Sequence, residues 1–263
     1  MGKRKLQKGI CRLCIKEKML NFEHVPPRSA FNKNTRYKEI PYLDYMKNNP
    51  LDVKLKGRVG QGGIGFYSFC ENCNNFLGTE YVRSYKSWAE IGAYILQQGD
   101  YFSYEYDAFQ QKPNKIIKQI ISMFVAINKV WFIEEYPELI EFIRNPLSTT
   151  LNERFRFFTY LNDVGTQYRH LPFTISENLG SGEITKCCEI AFPPFGYVMT
   201  IDSNSDIKYL AEITQFKNYD PNNEAKLSLR LARLETNLPI PLDYRSKKEI
   251  QDTIDKSKKD YIK

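Results

Sequence analysis

The chain has 263 residues, 42% of them hydrophobic and 14% aromatic, which is ample for a packed core and excludes a wholly disordered chain. Its net charge of +7 is unevenly spread: residues 1–90 carry 17 Lys and Arg against 8 Asp and Glu, the remainder 21 against 23. A basic excess confined to the first third points to a polyanion partner such as nucleic acid, with an ordinary solvated surface as the alternative. No apolar run reaches the ~20 residues of a membrane span. The nearest, IIKQIISMFVAINKVWFI at 116–133, is interrupted by Lys118, Gln119, Asn128 and Lys129. The basic start MGKRKLQKG leads into a cysteine pair rather than an apolar signal core. A soluble, cytoplasmic protein is therefore expected, without a membrane partner.

In chain order, residues 1 to about 80 read as largely irregular. A basic arm precedes CRLC (Cys11, Cys14); then come NFEHVPPRSAF at 21–31 and a polar insert over 32–60 with no clear period. GIGFYSF, rich in aromatics, reads as a short strand leading into CENC (Cys70, Cys73). A helix is predicted over 79–99, where Tyr81, Tyr85, Trp88, Ile91 and Ile95 recur at steps of three and four and Gly99 is a stop. A more apolar helix is predicted over 114–132 and a short one over 137–145, opened by proline. From about 153 the pattern turns to strands: RFRFFTYL, ITKCCEIAF, YVMTID and AKLSLRLARL, separated by loop signals such as ENLGSGE and PPFG. The division expected is a zinc module at 1–100, an α+β accessory and partner-binding module at 101–245, and a charged tail at 246–263.

Two Cys-x-x-Cys units are the usual way to build a tetrahedral thiolate site, because each tight knuckle turns two sulfurs toward one ion. Cys11, Cys14, Cys70 and Cys73 are thus expected to hold a structural Zn2+. The 55 residues between the pairs exceed the usual spacing, so the insert must form structure of its own. Two disulfides or reduced buried thiols are the alternatives. Cys187 and Cys188 adjoin each other in an apolar run and read as strand residues. Zinc held by four thiolates has no open coordination position, so any catalysis must come from another group.

Glu23 and His24 are the candidate. Phosphodiester hydrolysis needs a base for water, a cation for the developing charge, and a scaffold that aims both. A neutral imidazole suits the first task near pH 7; a carboxylate and an amide oxygen are hard ligands suited to Mg2+ or Mn2+. Glu23 and Asn74 can supply those oxygens and His24 the base. Neighbours on an extended segment point to opposite sides, so a bend, which the following Pro-Pro would impose, is expected there. Arg28 is a candidate phosphate holder through its guanidinium fork. The alternatives are a Glu-His surface pair, a helix-capping Asn74 and a solvated Arg28. His170 stands far outside this segment in the sequence and reads as structural or as part of a partner surface.

CRLC, then EHVPPRS, then CENCNN opening a helix resembles the HNH endonuclease family, whose zinc-bearing members share a ββα-metal motif. The resemblance covers residues 9–90. It implies that His24 activates water, that Glu23 helps hold a divalent cation, and that Asn74 also binds it, with Asn75 as substitute. The family's middle Asn, which fixes the loop bearing the His, precedes the second knuckle; GGIGFYSF has none there. The fold class expected is therefore α+β, a ββα-metal (HNH) module followed by a mixed helical and antiparallel-strand module. The function expected is a metal-dependent endonuclease acting on DNA ahead of RNA. Its resemblance to stand-alone nucleases of anti-phage defence, with control by a partner protein or by homo-oligomerisation, is analogy. The alternative is a non-catalytic zinc-knuckle module that binds nucleic acid or protein.

Overall fold

The computed structural model describes residues 7–40, 57–177 and 184–260. Parts of the basic arm, the insert, the ENLGSGE loop and the charged tail lie outside the described residues. Among the described residues the first third contains five strands where the sequence pattern indicates one: β1 (Gln7–Ile10), β2 (Glu17–His24), β3 (Arg36–Glu39), β4 (Arg58–Gln61) and β5 (Gly65–Cys70). The order β1-β2-β5 forms a three-stranded antiparallel sheet, and β3 and β4 form a separate two-stranded ribbon. Three of these strands have four residues each and are mostly exposed. Strands without a buried face show no apolar alternation, so period reading passes over them.

From the end of β5 the chain turns directly into helix: α1 (Glu71–Leu77), a π turn (Gly78–Val82) and α2 (Arg83–Leu96), joined through helical dihedrals at Leu77 and Val82. The helix thus starts eight residues before the expected position. Tyr81, Tyr85, Trp88 and Ile95 are buried, as their spacing indicates. The helix expected over 114–132 is instead α3 (Pro113–Ile127) followed by α4 (Val130–Glu135). The break is at Asn128, which is extended and uses its side chain in place of backbone partners: Nδ2 donates to the Phe124 carbonyl at 2.8 Å and Oδ1 accepts the Phe173 N–H at 2.7 Å. A short α5 (Pro137–Arg144) follows.

The seven-stranded sheet is built from β6 (Ser103–Gln111), β7 (Phe155–Asp163), β8 (Arg169–Glu177), β9 (Ile184–Phe192), β10 (Phe195–Ile201), β11 (Ala211–Glu212) and β12 (Ala225–Glu235). Its order is β6-β12-β7-β10-β9-β8, with β11 also beside β7. All pairings are antiparallel except β12 with β7. β6, rich in polar residues, and β8, interrupted by Pro172, carry no strand signal in the sequence. A final helix, α6 (Lys247–Asp260), carries the charged end. The mixed α+β class is as expected.

α3 is buried along nearly its whole length and is shared by the two sheets. Against the small sheet, Arg12 and Ser68 both donate to the Ala126 carbonyl, Ser68 at 2.7 Å; a cation at a helix C-terminus is favoured by the helix dipole. Lys118, inside α3, gives its ammonium to the carbonyls of Asn145, Pro146 and Ser148 at 2.8–2.9 Å, and burial pushes it down to about 8. Against the large sheet, Trp88 of α2 stacks on Phe195 with ring centroids 4.6 Å apart and donates to the Tyr197 hydroxyl at 3.1 Å. The buried core is continuous from Cys11 to Leu231. No helix among the described residues is long and apolar enough to cross a membrane.

Candidate functional site

The first knuckle is the turn of the β1–β2 hairpin. Ile10 pairs with Glu17, the Cys11 N–H bonds the Lys16 carbonyl at 3.0 Å, and the Ile15 N–H returns to the Cys11 carbonyl at 2.8 Å with Ile15 at φ 57°. The second knuckle is the corner where β5 becomes α1: Cys70 ends the strand and Cys73 sits in the first helical turn. The Arg12 N–H to Ser68 carbonyl bond, 2.9 Å, holds the two knuckles together.

The four sulfurs of Cys11, Cys14, Cys70 and Cys73 lie within 4.8 Å of one another, and Cys14 and Cys70 Sγ are 3.9 Å apart. Bonds of about 2.3 Å in a tetrahedron put sulfurs about 3.8 Å apart, so this group is able to hold a metal ion such as zinc. The thiol electrostatics agree. Burial raises the Cys11 thiol, but N–H groups of Cys14, Cys70 and Leu13 outweigh it and bring it below its ordinary value. Cys14 and Cys73 are raised, first by burial and then by the neighbouring sulfurs. Crowded thiolates of this kind are relieved by a bound cation. Among the described residues no other group of three His, Cys, Asp or Glu side chains has the spacing to hold an ion. Cys187 and Cys188 are buried strand residues of β9, as read.

Glu23 and His24 are the last two residues of β2, facing Phe66 and Gly65 across the pair. The expected bend lies after them, where the strand ends and the chain turns at Val25-Pro26. Successive strand residues therefore send Glu23 and His24 to opposite faces. The His24 ring meets the Phe22 ring edge-on at 5.3 Å, two residues back on its own face. Glu23 is 8% exposed, and burial pushes its carboxyl up to about 8. Asn74 is half-buried in α1, one residue past Cys73; Asn75 is exposed. Arg28 is exposed on the turn that follows β2.

His24 Nε2 is 3.0 Å from the Gly62 carbonyl oxygen. A carbonyl only accepts, so Nε2 carries a proton in this contact, and in the neutral ring the lone pair is then on Nδ1. The backbone there is built for the imidazole. Gly63 has φ +97°, and a Cβ on it would lie 2.5 Å from His24 Cδ2 and 2.1 Å from the Asn32 carbonyl oxygen, so only glycine fits.

Three contributors to this site were not apparent in the sequence. Asn32, fully buried, donates from Nδ2 to the carbonyls of Pro26 and Ile64 and accepts the Ile64 N–H at Oδ1, each at 2.8 Å. It ties the turn after His24 to the residue that precedes β5. Its position in a polar insert hides it, since burial of a lone Asn leaves no periodic trace. The Gly62-Gly63 pair was visible as composition but not as a wall of the His24 site. His170, remote in sequence, is brought to the motif: its Nε2 is 2.8 Å from the Val25 carbonyl, its ring packs at 5.8 Å from Phe66, and desolvation lowers it to about 4. Compared with protein-family models, with characterised proteins and with solved structures, the chain matches none.

Proposed function

We propose that the chain is a metal-dependent endonuclease of the HNH type that hydrolyses phosphodiester bonds in DNA. The observation that carries this reading is the pose of His24. Its Nε2–H is held by the Gly62 carbonyl, so in the neutral ring Nδ1 carries the lone pair a general base needs. His24 ends a strand whose antiparallel partner, β5, runs straight into the α1 helix at a four-cysteine group. In this reading His24 Nδ1 takes a proton from water as its oxygen attacks phosphorus and the phosphorus–oxygen bond to the leaving group breaks. Arg28, exposed beside the turn, holds the phosphate. Glu23 and Asn74 supply the hard oxygens for Mg2+ or Mn2+, which when bound stabilises charge on the leaving oxygen. Among the described residues no counter-charge offsets the burial of the Glu23 carboxyl, which fits a site completed by a cation. The four thiolates hold Zn2+ as a brace. The basic first third gives salt-sensitive, sequence-independent affinity for the DNA backbone. Control by a partner or by self-association, as in a defence nuclease, is part of the proposal.

The test is a plasmid-nicking assay with Mg2+ or Mn2+ on wild-type protein of measured zinc content, beside His24→Ala. Nicking by the wild type and a loss of 100-fold or more in the variant is the expected outcome. A zinc-loaded wild type that binds DNA without cutting it, across a range of protein concentrations and with cell lysate added as a source of partner, would sink the nuclease reading. It would favour a second reading, a binding module without catalysis. One observation supports that alternative: Glu23 and His24 leave β2 on opposite faces.

A further inference from the structure

We propose that His170 is a positioning residue for His24, through which the large sheet sets the pose of the base; the idea rests on the reading of His24 given above. Val25 follows His24 directly, and its peptide is fixed from both ends. Its N–H donates to the Ile64 carbonyl at 3.0 Å, and its carbonyl accepts from His170 Nε2 at 2.8 Å. The first bond is internal to the small sheet. The second crosses 145 positions of sequence to β8 and ties the large sheet to the turn that follows His24. Phe66 completes the contact: it faces Glu23 across the β2–β5 pair and packs its ring on His170.

His170 is itself held rigidly. Its neighbour Arg169, 2% exposed, donates Nη1 to Glu189 at 2.6 Å and Nη2 to the carbonyls of Leu238 and Asp243 at 2.5 and 3.1 Å. Glu189 also accepts the Tyr160 hydroxyl at 3.1 Å and the Leu242 N–H at 3.3 Å. Three residues on, the Phe173 N–H is taken by Asn128 at the end of α3. The start of β8 is therefore locked to β9, to α3 and to the 238–243 segment. Movement of that segment, on binding a partner or a second copy, has a direct line to the Val25 peptide and to the imidazole beside it.

The chain contains two histidines, so protein labelled with 15N at histidine gives ring-nitrogen signals from two imidazoles, assigned by the loss of one set in His24→Ala. The informative pair is His170→Gln, which keeps an N–H donor, and His170→Leu, which fills similar space without one. Zinc content and thermal midpoint are measured on both. The expected result is that Leu shifts or broadens the His24 ring signals and lowers kcat about tenfold or more with KM for plasmid unchanged, while Gln retains most of both wild-type properties. Unchanged His24 signals in the Leu variant would overturn the proposal, as would equal damage in Leu and Gln tracking a common loss of thermal stability. The imidazole signals report whether or not the wild type cleaves. Absence of cleavage alone counts against the nuclease reading; the His24 signals decide the His170 coupling.

Discussion

The two sheets keep their shape by different means. The seven-stranded sheet places Phe155, Phe157, Tyr197, Met199 and Ile201 in the core at 1% exposure or less and packs them against α2 and α3. The three-stranded sheet contributes far less, chiefly Leu20, Phe69 and Cys70. A small sheet with so little apolar area to bury needs staples. It has them in the four-cysteine group, in the Asn32 clamp and in the Arg12 and Ser68 bonds to α3. The comparison teaches that the candidate catalytic face is built mainly from polar constraints and a four-cysteine group able to hold a metal ion, while the body beneath is held mainly by packing.

The largest test of that contrast is metal removal. Binding of structural zinc contributes on the order of 10 kcal/mol in small sites, so stripping zinc should expose β1, β2 and β5 to hydrogen exchange while β7 and β10 stay protected. Simultaneous exchange in all five strands would break the distinction and make the shared core a single cooperative unit. Next in size is Glu189→Ala, which leaves the Arg169 guanidinium buried and unpaired in the large sheet. A loss of about 3–5 kcal/mol in urea unfolding is expected, with zinc content unchanged.

A pH effect comes third. Burial raises Glu23 from its ordinary 4.5 to about 8, so the folded state binds a proton that the unfolded state has released over that window. Stability associated with Glu23 is therefore fully present below about pH 4.5 and is lost as pH rises through about 8, by a few kcal/mol at most. Glu23→Gln should flatten this slope in denaturant unfolding at fixed zinc, and Mg2+ or Mn2+ should flatten it in the wild type; a slope equal in wild type and variant would count against the assignment. The smallest effect is Asn32→Ala. It strands the buried Ile64 N–H and should cost about 1–3 kcal/mol and lower cleavage more than global stability, read by comparing nicking rate with urea midpoint.

Much of the site was legible because its chemistry is local. CRLC and CENC each carry their geometry in four residues, and the step from the second knuckle into a helix places Asn74 beside Cys73. The buried faces of α2, α3 and β12 were legible for the related reason that period follows from backbone geometry. The illegible parts are those where a polar residue is used far from its neighbours in sequence. Asn128 splits a helix that the apolar pattern would run through, because its side chain offers the backbone other partners. β8, interrupted by Pro172, gives no strand signal in the sequence, yet it carries His170 to the Val25 carbonyl.

By itself the sequence determined the mixed α+β class, the four-cysteine group and the candidate roles of Glu23, His24, Arg28 and Asn74, since side-chain chemistry and short spacing are written residue by residue. Only the tertiary structure decided that Glu23 and His24 leave one strand on opposite faces, that Asn32 and Gly62-Gly63 shape the imidazole's surroundings, and that His170 touches the same turn. Those facts depend on strand register and on contacts across 30 to 145 positions, which arise from the packing of the whole core and have no local signature.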